Sequence, residues 1–312
     1  MRIGLVVDSA CDLPISYIRE HKIELLPITV HIGGQTFFDR KDPEVIAAFY
    51  RDHLAHRAIG DTTAVSVEQI KQIFLDRLVL EYDFVFLITT ASSRSEIYEN
   101  ALKASFDILS QQKAIRAAAG ITGPFVLRVI DSQVIFGAIS VSVVEAARMI
   151  RAGATPGEIE TRLNEIVPQV YGYVVPNDLH HLRESSKRRG EQAVAWHRFL
   201  LARMFNIKPL LVANRNRATA VANLHNFEDA RSRLFRFAAE RVREGLLTPA
   251  IGVGYGGDIS DLEKFPAFDE LRAAAQAAGI EFIVVAMGVV TGIYLGEGCI
   301  AIAFAAREHR FE

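Results

Sequence analysis

Cysteine is almost absent: Cys11 and Cys299 are the only two in 312 residues. Two such distant thiols exclude a disulfide-stapled scaffold and fit free cysteines in a reducing compartment. An excess of either charge is also missing. Lys and Arg total 35 against 37 Asp and Glu, a net charge of −2. No basic surplus exists to neutralise phosphates, so nucleic acid is excluded as a main partner. Long hydrophobic runs are lacking as well. The longest uncharged stretch, Phe282 to Gly296, contains three glycines. It shows no helical period and is too short to cross a bilayer, so no stable membrane insertion is expected. The opening apolar run ends at Asp8, too soon for a signal peptide. A cytoplasmic protein is the expectation.

Signatures of catalysis are missing too. There is no P-loop and no G-x-S-x-G elbow. His180 and His181 are adjacent and point apart on any regular element, with no Cys or carboxylate at ligand spacing. Neither a metal nor a cofactor is expected. The basic run Arg183 to Arg189 reads as a solvated face.

Half the residues are apolar and 23% charged, an ordinary globular balance. Short β-rich runs recur at Ile3–Val7, Leu25–Ile32, Phe84–Thr89, Phe125–Ile130, Gln169–Val175, Pro209–Val212, Ile251–Gly254, Phe282–Met287 and Cys299–Phe304. Helical periods lie between many of them. Ile97, Ala101, Ala104, Ile108 and Leu109 share one predicted face, as do Ile159, Leu163, Ile166 and Val167. Such alternation predicts an α/β fold with a mostly parallel N-terminal sheet flanked by helices. Arg151 to Gly157, with Gly153, Pro156 and Gly157, is the best joint. It divides the chain into α/β lobes at 1–155 and 156–312. Thr155-Pro156-Gly157-Glu158 and Ser93-Arg94-Ser95-Glu96 both fit capping boxes.

Four segments combine small, hydroxylated or acidic residues at strand ends. Asp8 to Pro14 follows the first strand, where open α/β sheets place ligands. It reads equally as a turn with Asp12 capping a helix. In Asp61 to Ser66, Ser66 fits a helix cap, leaving Thr62 and Thr63 free for an anion. Thr89 to Ser93 is another strand-to-helix turn suited to a carboxylate or phosphate. If Ser93 caps the helix, Ser92 is the better ligand. Gly288 to Gly298 either lets backbone approach a ligand or forms a hairpin between buried strands.

The order of these motifs resembles the DegV family across nearly the whole chain. Its D-S-T-x-D-L-P is similar to Asp8–Pro14, and T-S-Q-P-S to Thr62–Ser66. S-S-x-L-S-G-T-Y-x-x-A is similar to Ala91–Ala101, and V-x-D-S to Val129–Ser132. D-L-x-x-L matches Asp178–Leu182, and N-I-K-P-I-L matches Asn206–Leu211. The closing glycine motif resembles Gly288–Gly298. The resemblance implies two lobes with a long-chain fatty acid in the cleft between them. Its carboxylate would meet Thr62 and Ser92 or Ser93, and its tail would enter the first lobe. It also implies a separate fatty acid kinase as partner, the carrier itself having no chemistry.

Departures from the family pattern point to a changed head-group site. The family's C-terminal His falls on Tyr294. Arg94 replaces a Leu, and either pairs with Glu96 on the surface or turns into the cleft to hold an anion. The Arg that the family links to kinase docking falls near Asn223, which counts against that partner. The candidate ligand residues are therefore Thr62, Thr63, Ser92, Ser93, Arg94 and Tyr294. The alternatives are phosphoryl or acyl transfer in the cleft, with Asp8, Asp12 and Asp131 at one sheet edge, or a ligand-sensing regulatory module.

Overall fold

The computed structural model describes residues 1–188 and 207–311. Arg189 of the basic run and Asn206 of the N-I-K-P segment lie outside the described residues. The first lobe is built on a four-stranded sheet in the order β2-β1-β6-β7, with β1 Ile3–Asp8, β2 Ile23–Leu26, β6 Phe84–Thr89 and β7 Val126–Asp131. All three pairings are parallel. The central strands β1 and β6 are buried almost end to end, as a parallel sheet covered on both faces demands. The predicted strand Leu25–Ile32 breaks at Pro27. Its second half, β3 Thr29–Ile32, joins a small antiparallel sheet with β4 Gln35–Phe38 and β5 Asp61–Thr63. The short polar β4 and β5 give no alternation long enough to read.

The second lobe carries a separate six-stranded sheet, ordered β10-β9-β8-β13-β11-β12. Its strands are β8 Val170–Val175, β9 Lys208–Asn214, β10 Arg217–Leu224, β11 Ala250–Tyr255, β12 Glu281–Ala286 and β13 Ile300–Ala305. Side-chain size alternates with the strand period of two. On β13, Ile300, Ile302 and Phe304 face the outer helices Phe227–Glu244 and Pro266–Ala277. Ala301, Ala303 and Ala305 face the other way, into the core shared with the first lobe. Gly252 and Gly254 on β11 and Gly172 on β8 continue that face, since they alternate with the outward Ile251, Val253, Tyr171 and Tyr173. Small residues there let the helix Ile139–Arg151 lie close between the two sheets. Its residues Ile139 to Ala147 are all buried.

Local signals hold where their partners are local. Thr155 and Glu158 form the expected capping box with Pro156 in the first turn, and Ser66 forms another with Gln69. The capping box at Ser93 does not form. The helix begins at Ile97, and the Ser93 hydroxyl donates to the Asn216 carbonyl instead. Arg94 accordingly lies in the turn before the helix. Leu109 is 40% exposed and does not share the buried face of Ile97, Ala101, Ala104 and Ile108.

Candidate functional site

Three loops leave the C-terminal edge of the parallel sheet toward the second lobe. The loop after β1 starts at Asp8, which is fully buried and accepts from the Ala10 N–H, the Thr90 N–H and the Thr90 hydroxyl. Burial pushes its carboxyl pKa up, and those donors pull it back. Asp8 therefore locks the first loop to the second, from below the cleft.

Asp12 does not cap the helix that follows it, whose cap position is Pro14. It reaches across the molecule. One oxygen accepts from the Lys41 ammonium at 2.8 Å and the Gly288 N–H at 2.9 Å, the other from the Thr291 hydroxyl at 2.7 Å. Asp39 stands 3.9 Å from the same ammonium. All three charged side chains are 3% exposed or less. Burial alone would pull the Lys41 pKa down, but Asp12 and Asp39 outweigh it and hold it above the ordinary lysine value. Burial pushes Asp39 up, with Lys41 opposing. Asp12, Gly288 and Thr291 lie in motif segments, but nothing local joins them to Lys41. Lys41 and Asp39 lie in a loop, and Gly288 and Thr291 stand 276 and 279 residues from Asp12 in sequence.

The cluster fixes the helix Val289–Leu295. Gly288–Gly298 is thus neither a hairpin nor an open glycine loop. It contains a buried helix whose glycines serve close packing. A Cβ on Gly292 would lie 2.6 Å from the Phe49 ring, and one on Gly288 would strike the Lys41 ammonium. Helical period is masked because every side of this helix but one is buried.

Its partly exposed position is Tyr294. The Tyr294 and Thr62 hydroxyls are hydrogen-bonded at 2.6 Å, and the Tyr294 ring lies 5.9 Å from that of Phe136. Phe136 follows the third loop and opens a short 3-10 turn, Phe136–Ala138, with a left-handed backbone at φ +55°. It lines a cavity of ≈ 20 Å³ between the lobes, bounded below by Asp12 and above by Gly172, Gly252, Gly254 and Ala301. That volume holds about one water.

The family profile described as "Uncharacterised protein, DegV family" matches residues 2–307. The chain belongs to the DegV family. A DegV domain-containing protein of Xanthomonas axonopodis pv. citri is 42% identical over 312 residues, covering all of this chain and 99% of its own. Protein DegV of Bacillus subtilis is 24% identical over 306 residues, 97% of this chain and 99% of its own. Two solved structures share the fold. One is DegV of Bacillus subtilis, described as a fatty acid binding protein, with TM-score 0.76, 22% identity, and coverage of 98% of this chain and 100% of that one. The other is a stearic acid-binding protein of Eubacterium ventriosum, with TM-score 0.77, 19% identity, and coverage of 97% and 98%.

In this DegV chain the six candidate residues divide into four groups. Thr62 and Tyr294 meet. Thr63 follows Thr62 on β5 and so points to the opposite face, where its hydroxyl meets the His31 ring at 2.8 Å. Ser92 and Ser93 are engaged elsewhere. The Ser92 hydroxyl donates to Asp131 at 2.6 Å, and Asn216 at the β9–β10 turn holds both Ser93 and Asp131. That turn is a second-lobe hairpin tip clasping the first lobe, with Arg215 and Asn216 both left-handed. Arg94 is half-buried, and its N–H donates to the Ala91 carbonyl. Asp8 and Asp131 end strands at the same sheet edge, but Asp8, Asp12 and Asp131 share no hydrogen-bond partner among the described residues. Phe136, Lys41 and Thr291 are not legible in the sequence as site residues.

His181 is buried against this region, where a Cβ on Gly296 would lie 2.8 Å from its ring. Burial, with His180 beside it, pushes its pKa below the usual 6.5. A depressed folded value means the neutral ring is favoured in the fold. Its stabilising effect is complete above the unfolded pKa and is lost as pH falls through it toward the folded value. His309 behaves alike. Thermal midpoints should therefore drop on going from about pH 7.5 to pH 5, and His181→Gln should flatten part of that slope. An identical slope in the variant would discard this assignment.

Proposed function

We propose that this chain is a fatty-acid carrier, holding a long acyl chain between its lobes with the carboxylate at Thr62 and Tyr294. The observation that carries the proposal is the Thr62–Tyr294 hydroxyl pair. The Tyr294 ring packs on Phe136, which lines the apolar cavity between the lobes, in a family whose solved members include fatty acid binders. Two neutral donors that currently satisfy each other can both turn to a carboxylate oxygen. The tail would enter between the lobes past Phe136, whose ring stands between Tyr294 and the cavity. Ser92, Ser93 and Arg94 would complete the head-group shell only if the Asn216 clasp opens.

Magnitudes decide the division of labour. A tail of about fourteen buried methylenes at roughly 0.8 kcal/mol each gives about 11 kcal/mol before ordering costs. A hydrogen bond to a carboxylate adds about 1.5–3 kcal/mol. The tail sets affinity and the hydroxyls set orientation. Catalysis by a cysteine is disfavoured because burial pushes the Cys11 and Cys299 thiols well up, and a thiolate is the reactive form. Among the described residues no group of three His, Cys, Asp or Glu could hold a metal. No described helix is long and apolar enough to span a membrane.

Native mass spectrometry of the purified chain tests the reading. A mass increase of a few hundred daltons, removed by delipidation and restored by added fatty acid, is expected. Thr62→Val and Tyr294→Phe should each weaken rebinding by roughly three- to thirtyfold. Because the hydroxyls are mutual partners, the double variant should lose less than the two losses combined. Full affinity in both single variants would remove the head group from this pair. Failure of the native chain to take up any fatty acid would remove the function.

A further inference from the structure

The helix Ile97–Ala118 has 22 residues and is about 33 Å long. Its inner face, Ile97, Ala101, Ala104 and Ile108, is 1% exposed or less. Its outer face carries a second row. Glu99, Leu102, Phe106, Leu109 and Lys113 follow one another at spacings of three and four, the seam of a coiled coil, and all are exposed. Phe106 at the centre is 75% exposed, with Leu102 at 36% and Leu109 at 40%. Single exposed apolar residues mean little, but three in register on one helix face form a surface that prefers cover.

The ends of the row say what covers it. Glu99 lies seven residues before Phe106 and Lys113 seven after it. A twofold axis through Phe106 that lays two such helices antiparallel brings each Glu99 against Lys113 of the other copy. The same operation stacks Phe106 on Phe106 and lays the Lys103 stem over Leu109. It sets Leu102 opposite Ser110, so the centre and the two charged ends of the row are self-complementary, as an isologous interface requires. Its net charge is zero. An anionic bilayer, which selects helices with cationic faces, is disfavoured by that balance.

We infer that this chain forms an antiparallel homodimer through the outer face of the helix Ile97–Ala118, centred on Phe106. The inference is independent of what the cleft binds. Within one chain Glu99 also reaches Lys103 at 3.7 Å, so the intermolecular pairs extend an existing charge row.

Sedimentation equilibrium of the full chain over a wide concentration range tests it. A monomer–dimer equilibrium is expected. Phe106→Asp should raise the dimer Kd by more than about tenfold, with a thermal midpoint that matches the native chain at concentrations where both are monomeric. Glu99→Lys and Lys113→Glu should each weaken the dimer by roughly three- to tenfold, since each places like charges opposite one another twice. The double swap E99K/K113E should restore it, because opposite charges then face each other again at both ends of the row. A native chain that stays monomeric at its highest soluble concentration overturns the proposal. So does a dimer insensitive to Phe106→Asp, or single swaps that do not weaken it. A double swap that fails to recover excludes the antiparallel register. Binding of the native chain to lipid vesicles, lost in Phe106→Asp and without self-association, would assign the face to a membrane instead.

Discussion

Lys41→Met is expected to lower the stability of the chain by about 3–5 kcal/mol, the cost of removing one partner from a buried ion pair. The variant keeps the length and apolar stem of the side chain but leaves Asp12 and Asp39 at 3% exposure or less with no cation within reach. The loss should appear as a fall in thermal midpoint on the order of 10 °C. The pH dependence has a definite sign. Lys41 has a raised folded pKa, so its contribution is complete below the ordinary lysine value and fades only as alkaline pH passes the folded value. Asp39 is also raised, so its ionised form opposes folding increasingly from the ordinary carboxylate pKa up to its folded value. Asp12→Asn in the Lys41→Met background should recover part of the loss, because an amide oxygen still accepts from the Gly288 N–H. A cycle of the two changes should show coupling above about 1 kcal/mol. Strict additivity would mean the pair is not acting as one unit. Beyond stability, Lys41→Met should also reduce ligand retention, since Asp12 anchors the helix that carries Tyr294.

The sequence reveals what depends on near neighbours. Strand positions β1, β6, β8 and β13 are readable because a buried strand is a short apolar run. The caps at Ser66 and Thr155 are readable because cap and acceptor are three residues apart. The joining of Thr62 to Tyr294 is legible only through the order of motifs, since 232 residues separate them. Where local signals fail, a distant partner outcompetes a local one. Ser93 has a Glu three residues on, yet Asn216 claims its hydroxyl. Asp12 precedes a helix, yet Lys41 and Gly288 claim its carboxylate. Gly288–Gly298 looks flexible because glycine is a poor helix former in water. In this core the same glycines let the helix Val289–Leu295 touch Phe49 and Lys41, and burial outweighs propensity. Apolarity alone places Leu109 on the inner face. Among the described residues nothing covers the apolar row on the outer face, where Phe106 is 75% exposed.

Phe136→Ala is expected to widen the entrance to the cavity between the lobes, with opposite effects on stability and binding. The ring is half-buried, against Tyr294 on one side and the ≈ 20 Å³ cavity on the other. Truncation should cost about 2–4 kcal/mol of stability without ligand, at or below the range for a fully buried Phe. A bulky residue at φ +55° is uncommon, and strain of about 1–2 kcal/mol is held there. Phe136→Gly, which adopts that backbone freely, should therefore be more stable than Phe136→Ala by roughly 1 kcal/mol. If the acyl chain enters by displacing the ring, the native chain spends on that movement the burial of one aromatic, about 1.5–3 kcal/mol. Both truncations should then bind fatty acid roughly ten- to a hundredfold more tightly. Added fatty acid should accordingly raise their thermal midpoints more than it raises that of the native chain. The comparison separates two roles. A ring that lines the tail as a contact surface predicts weaker binding in both truncations, and that result would close the route past Phe136. Tighter binding in Phe136→Ala, with Phe136→Gly tighter still or equal, places the acyl path past Phe136.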